Sequence, residues 1–202
     1  MAGAPEEPPP ARNTPEIEAA YQQAPDRVVA EILHGVGILR PRPTPVHARL
    51  AGRVYGTLYG PIDLGMDGPG GWVLLPAPSL HLGSRPDKAT PDIAGWHLAR
   101  LPQPPDAAAI TVPPDWVCEV LSPSTEVLAR GLKMPRYGAH GVRHAWLLDP
   151  HARSFEAFRL DAGCWRQVQL ARGDERVRAE PFEALELDLA HVWRWHAAAE
   201  TP

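Results

Sequence analysis

With 202 residues, 44% of them hydrophobic and 22% charged, the chain can fill one core but not two comfortable ones. Its net charge of −4 argues against a surface built for bulk nucleic-acid binding, while leaving room for a local basic groove. Two scattered cysteines, Cys118 and Cys164, make no disulfide framework or zinc pair. No signal-peptide pattern and no apolar run of about 18 residues is present, so a cytoplasmic protein without a membrane span is expected.

Residues 1–14 are small, polar and proline-rich and are expected to be disordered, which leaves a single domain over 15–202. Residues 15–25 predict a short helix with Ile17 and Tyr21 on one face. VVAEILHGVGILR then reads as a hairpin turning at His34-Gly35. Val46, Leu50, Val54 and Leu58 recur at helical spacing and predict an amphipathic helix from Pro45 to Tyr59, with Pro45 in its first turn. WVLLPAPSLHLG supplies two short strands around Pro76 and Pro78, and residues 91–98 another.

The run Asp115–Leu121 is apolar and bounded by prolines, as a central strand would be. A period of two puts Asp115, Val117, Glu119 and Leu121 on one face and Trp116, Cys118 and Val120 on the other. SPST restarts the chain as a helix, with Ser122, Ser124 and Thr125 as candidate caps. That helix carries Lys133 and Tyr137 on one face, should kink or break at Pro135, and ends at Gly141. HAWLLD, SFEAFRL and CWRQVQLA read as strands of a meander, and the last segment turns from strand-like to helix-like. Arg130, Arg136, Arg143, Arg153 and Arg159 read mostly as solvated surface. This order of elements predicts a mixed α/β or α+β domain.

Three ionisable residues stand where apolar ones are expected: Asp92 opening a strand, Glu119 inside WVCEVL, and Lys133 on the following helix. An acid within a buried strand is costly unless it is paired or binds a metal. Two carboxylates from neighbouring strands make a hard-cation site of the kind Mg²⁺ takes, and a nearby lysine can orient a water for attack on phosphorus. The plainer alternative is a structural ion pair between Glu119 and Lys133 or an arginine.

The combination PDIAGW, PDWVCEVLSPST and K–Y–GV–HAWLLDP resembles the Uma-two (Uma2) family of restriction endonucleases, a branch of the PD-(D/E)xK superfamily, from about Ala30 to Trp193. The resemblance implies a restriction-endonuclease-like core, a mixed sheet flanked by helices, and Mg²⁺- or Mn²⁺-dependent hydrolysis of DNA. It also implies Asp92 and Glu119 as metal-binding catalytic carboxylates. The superfamily's usual lysine position holds Leu121, so the resemblance moves that role to Lys133, and Glu31 matches a frequent family acid. Ala129 stands where family members often carry another acid. A homodimer is implied by the resemblance alone.

His47 either assists this site at a phosphate or simply ends a helix, and His81 is a further candidate for the metal's vicinity. Asp115 suits a turn or a metal equally, and Asp149 before Pro150 suits an Asx turn. His140 and His144 have ligand-like spacing, but Gly141 between them breaks the helix a zinc pair would need. The leading functional reading is a metal-dependent endodeoxyribonuclease. Its rivals are an inactive nuclease-fold module that binds nucleic acid or another partner, and a structural domain with an internal Glu119–Lys133 salt bridge.

Overall fold

A computed structural model describes residues 13–194 apart from Ser124. Of the expected disordered tail 1–14, residues 1–12 lie outside this range, as do 195–202 at the far end of the expected domain. Asn13 is already tied down, donating to Glu18 Oε1 at 3.1 Å and to the Pro86 carbonyl at 2.9 Å.

The chain begins with helix α1 (Pro15–Gln22), capped by Thr14, and the hairpin β1 (Val28–Leu33) and β2 (Val36–Pro41). His34 and Gly35 both take positive φ, 52° and 74°, the conformation a two-residue hairpin needs to match strand twist. Helix α2 (Pro45–Leu58) passes into a π-helical turn, Tyr59–Asp63. Strands β3 (Trp72–Pro76), β4 (Leu80–Leu82), β5 (Asp87–Ala89), β6 (Ile93–His97) and β7 (Trp116–Val120) follow. The crossover from β7 comprises α3 (Glu126–Leu128), a π-helical turn Ala129–Lys133, and α4 (Met134–Ala139). Strands β8 (His144–Asp149), β9 (Ser154–Asp161), β10 (Cys164–Arg172), β11 (Arg176–Val177) and β12 (Leu187–Asp188) lead to α5 (Leu189–Trp193).

The main sheet runs β10-β9-β8-β7-β6-β3 and is mixed: β7 and β8 are parallel, and its other neighbours are antiparallel. A second sheet, β2-β1-β5-β4, packs beside it. The sequence reading contains this hairpin but not the sheet, because β5 lies in SRPDKAT, a polar stretch with no strand-like run.

All five residues of β7 are buried, with both faces covered. Trp116, Cys118 and Val120 join α2 and the C-terminal segment in one apolar cluster. Val117 and Leu121 join the crossover and the second sheet in the other. Glu119 shares this latter face by period. Pro135 interrupts the crossover as expected: the helix widens before it, with the Met134 N–H reaching back to the Ala129 carbonyl. A π turn absorbs the local cost of a residue that has no N–H and cannot extend a regular helix.

Candidate active site

Glu119 projects from β7 toward the crossover, where α4 brings Tyr137 and the preceding π turn brings Lys133. Both reach one oxygen. Glu119 Oε1 accepts from the Tyr137 hydroxyl at 2.6 Å and pairs with Lys133 Nζ at 2.6 Å. Glu119 Oε2 takes no hydrogen bond from the described residues, and it is not among the sealed, unpartnered polar atoms, so it retains contact with solvent.

Lys133 is buried, at 2% exposed. Besides Glu119, its ammonium meets Glu31 Oε1 at 3.3 Å and donates to the Thr90 carbonyl at 3.1 Å. Glu31, on β1, also accepts from the Thr90 N–H at 2.8 Å and from Arg40 Nε at 2.9 Å. The hairpin places that arginine, since Glu31 pairs with Ile38 and Arg40 lies two residues further along the same face.

Asp92 immediately precedes β6. Its Oδ2 accepts from the Val120 N–H at 2.7 Å, next in sequence to Glu119, and its Oδ1 meets His47 Nε2 at 2.7 Å. His47 is held in the first turn of α2, where its N–H donates to the Thr44 capping hydroxyl at 3.3 Å. Each Asp92 oxygen keeps a further lone pair for another partner.

The three carboxylates diverge electrostatically. Burial pushes Glu31 up, but the charges of Lys133 and Arg40 and the Thr90 N–H outweigh it, and its pKa lies below the ordinary value. Burial likewise opposes ionisation of Asp92, and the His47 contact, the Lys133 charge and the Val120 N–H together hold its pKa down. Glu119 goes the other way: burial raises it, Lys133 opposes the rise, and the charges of Asp92 and Glu31 add to it. Lys133 itself is kept above its ordinary value, because Glu119 and Glu31 overcome its burial. Burial and the adjacent Glu119 drive Tyr137 well upward, so its hydroxyl stays a donor.

Glu31, His47, Asp92, Glu119 and Lys133 thus meet in one place. His81 does not join them: its ring meets Tyr21, with Nε2 3.4 Å from the hydroxyl. Asp115 is a structural acid, accepting from the His97 N–H at 3.0 Å and from Arg100 at 2.6 Å. Asp149 forms the Asx turn, accepting from the N–H groups of His151 and Ala152. His140 pairs with Asp87 and His144 approaches Glu180, so the two histidines serve different neighbours. Thr125 folds back on Ser122, while Ser124 lies outside the described residues. Leu121 and Ala129 are both buried among apolar neighbours. Of the five arginines read as surface, Arg130, Arg136, Arg153 and Arg159 end in ion pairs.

Two members of the site were not singled out as such from sequence. Arg40 shares a hairpin face with Glu31, a relation visible only once the register is known. Tyr137 follows Lys133 by one helical turn, which was the available signal, but its contact with Glu119 depends on how the crossover packs.

Residues 17–190 match the family model described as "Uma2: Putative restriction endonuclease", most of the 202-residue chain. The chain belongs to the Uma2 family. It is also similar to a solved structure from Anabaena variabilis ATCC 29413, described as "a putative nuclease belonging to DUF820". The two share 17% identity over 88% of this chain and 96% of that one, with a TM-score of 0.71. At that identity the likeness establishes the fold, and it agrees with the mixed sheet flanked by helices. No curated protein matches. Family and fold together make this Uma2 member a restriction-endonuclease-like chain. Among the described residues no helix is long and apolar enough to cross a membrane.

Proposed function

We propose that this chain hydrolyses DNA phosphodiester bonds with Mg²⁺ or Mn²⁺, that Asp92 and Glu119 are its protein ligands, and that Lys133 positions the attacking water. The observation that carries this reading is Glu119. Its Oε1 is clamped by two donors, while Oε2 takes none from the described residues and keeps contact with solvent.

The donor set fits a hard cation. Three carboxylates face the two fixed cationic side chains Lys133 and Arg40, which leaves negative charge uncompensated when His47 is neutral. Among the described residues no group of three or more His, Cys, Asp or Glu side chains is arranged to hold a metal ion. Mg²⁺ does not require one, since it is often held by one or two carboxylates with water and phosphate completing its shell. When bound, the ion would act as a Lewis acid on the phosphate oxygens.

The remaining work falls to the chain's own groups. Lys133 is held protonated, so it serves as a hydrogen-bond donor to the water or phosphate and not as a base. Glu119, with its raised proton affinity, is the carboxylate best suited to take the water's proton. The water oxygen bonds to phosphorus as the bond to the leaving sugar oxygen breaks, and that oxygen takes a proton from solvent, giving a phosphomonoester and a hydroxyl.

The test is nicking of supercoiled plasmid in Mg²⁺ or Mn²⁺ by wild type, Glu119→Ala and Lys133→Ala. Wild type should nick and both variants should not; nicking retained by both would overturn the assignment. The closed Glu119–Lys133 contact supports a second reading, a fold that binds nucleic acid without cutting it. Salt-sensitive binding with no cleavage would decide for that reading.

A further inference from the structure

A groove of about 850 Å³ runs along the outer side of the site, between the end of β2 and the crossover helix. We propose that it takes an unpaired stretch of the DNA strand, with base faces on its apolar walls and a phosphate at Arg42. The proposal deepens the nuclease reading and takes from it the nature of the polymer.

The walls are apolar where solvent would ordinarily select polar side chains. Leu39, Val127 and Leu132 line this groove and are 59%, 81% and 39% exposed. Such a concentration on one concave surface marks a binding face, since scattered exposed apolar residues need no explanation but a contiguous patch does. The charge is one-sided as well. The chain carries 24 acidic against 20 basic residues, yet among the described residues no Asp or Glu lines the groove, whereas Arg40, Arg42 and His47 do.

Arg42 is the available cation among these three. Arg40 is neutralised by Glu31, and His47 is engaged by Asp92. Arg42 instead donates through Nε to the Asp26 carbonyl at 2.7 Å, a neutral partner that fixes the guanidinium without cancelling its charge. Among the described residues it forms no ion pair with a carboxylate. His47 lines the groove and lies 2.7 Å from Asp92, so a strand in the groove lies beside the proposed metal ligands.

A duplex is the poorer match. It turns its bases inward and presents phosphates along its whole outer surface, so apolar walls would desolvate charge without gaining base contact. An unpaired strand offers both surfaces at once, an apolar base face and a phosphate on separate sides; other proteins meet these with aromatic platforms beside basic grooves, and here aliphatic side chains stand in the platform's place.

The experiment is fluorescence anisotropy in EDTA, using a labelled mixed-sequence DNA oligonucleotide and its blunt duplex, with wild type, Arg42→Gln and Val127→Glu. Both side chains are exposed, and matching thermal melts will verify that the variants fold. The single strand should bind at least about tenfold tighter than the duplex. Arg42→Gln should lower the slope of log affinity against log salt by about 0.7, the value of one phosphate contact on a single strand. Val127→Glu should weaken single-strand binding at least about tenfold, because it sets a carboxylate on the apolar wall against a polyanion, and like charges brought together at an interface are costly. Equal or tighter duplex binding, or single-strand affinity unchanged in both variants, would overturn the proposal. So would a Val127→Glu variant that turns a dimer into a monomer by sedimentation while its oligonucleotide affinity stays the same, which would give the groove to a second copy. The expected binding without plasmid nicking keeps the groove and removes the nuclease reading; nicking with the overturning pattern does the reverse.

Discussion

Replacing Glu119 by Gln separates a functional carboxylate from a structural one. The amide keeps the shape, and its oxygen can still accept from Tyr137 and Lys133, which now meet Glu119 Oε1 at 2.6 Å each. Turning a charge-assisted bond into a neutral one costs roughly 1–1.5 kcal/mol. Against this, the variant no longer buries a third carboxylate beside Asp92 and Glu31, a relief of similar size. The net change is therefore expected within about 1 kcal/mol of zero. Its pH dependence has a definite sign. Because Glu119 is raised in the fold, the stability tied to its proton is fully present below the ordinary glutamate value of about 4.3 and is lost as pH rises through the folded value. Glu119→Gln escapes that loss and should gain on wild type between about pH 5 and pH 8. Lys133→Met leaves Glu119 buried without its cationic partner and Glu31 with Arg40 alone, and should cost about 3–5 kcal/mol. Urea unfolding in EDTA at both pH values measures all three proteins. Should Glu119→Gln cost as much as Lys133→Met, the pair is structural and the functional reasoning fails.

Other outcomes follow from the same contacts. Tyr137→Phe removes one donor from a buried carboxylate and should cost about 1.5–3 kcal/mol by urea unfolding. It should also weaken Mn²⁺ binding, read by electron paramagnetic resonance, because Glu119 loses the clamp on Oε1; unchanged affinity would remove Tyr137 from the site. Mg²⁺ at about 100 times its dissociation constant should stabilise wild type by about 2.7 kcal/mol and Glu119→Gln much less, and equal shifts would place the ion elsewhere. Glu31 and Asp92 are both held low, so their contribution is present above the unfolded carboxylate range near about pH 4 and is lost as pH falls through the folded values. Glu31→Gln should thus flatten the acid limb of the stability curve, and an unchanged limb would contradict the role of its two cationic neighbours.

Much of the fold was legible because its signals are local. Pro45 and the helical spacing from Val46 to Leu58 describe α2, His34-Gly35 turns the hairpin, and the two-residue period through Asp115–Leu121 sorts β7 onto its two faces. The second sheet was not legible, since β5 has three residues and no alternation, and exists because β1 and β4 flank it. Residue types sufficed to single out Asp92, Glu119 and Lys133: charge inside apolar runs is costly enough to demand a reason. They could not say which partner each would find. His47 opens a predicted helix and His81 lies in a predicted strand, and both were candidates, yet only the first turn of α2 brings an imidazole to Asp92, while β4 carries the other to Tyr21. The sequence by itself determined which side chains would be expensive to bury. Tertiary structure alone decided that Glu31 and Glu119 would meet one lysine, and that Oε2 of Glu119 would take no hydrogen bond from the described residues, because packing among β1, β7 and the crossover joins residues more than a hundred positions apart, as Glu31 and Lys133 are.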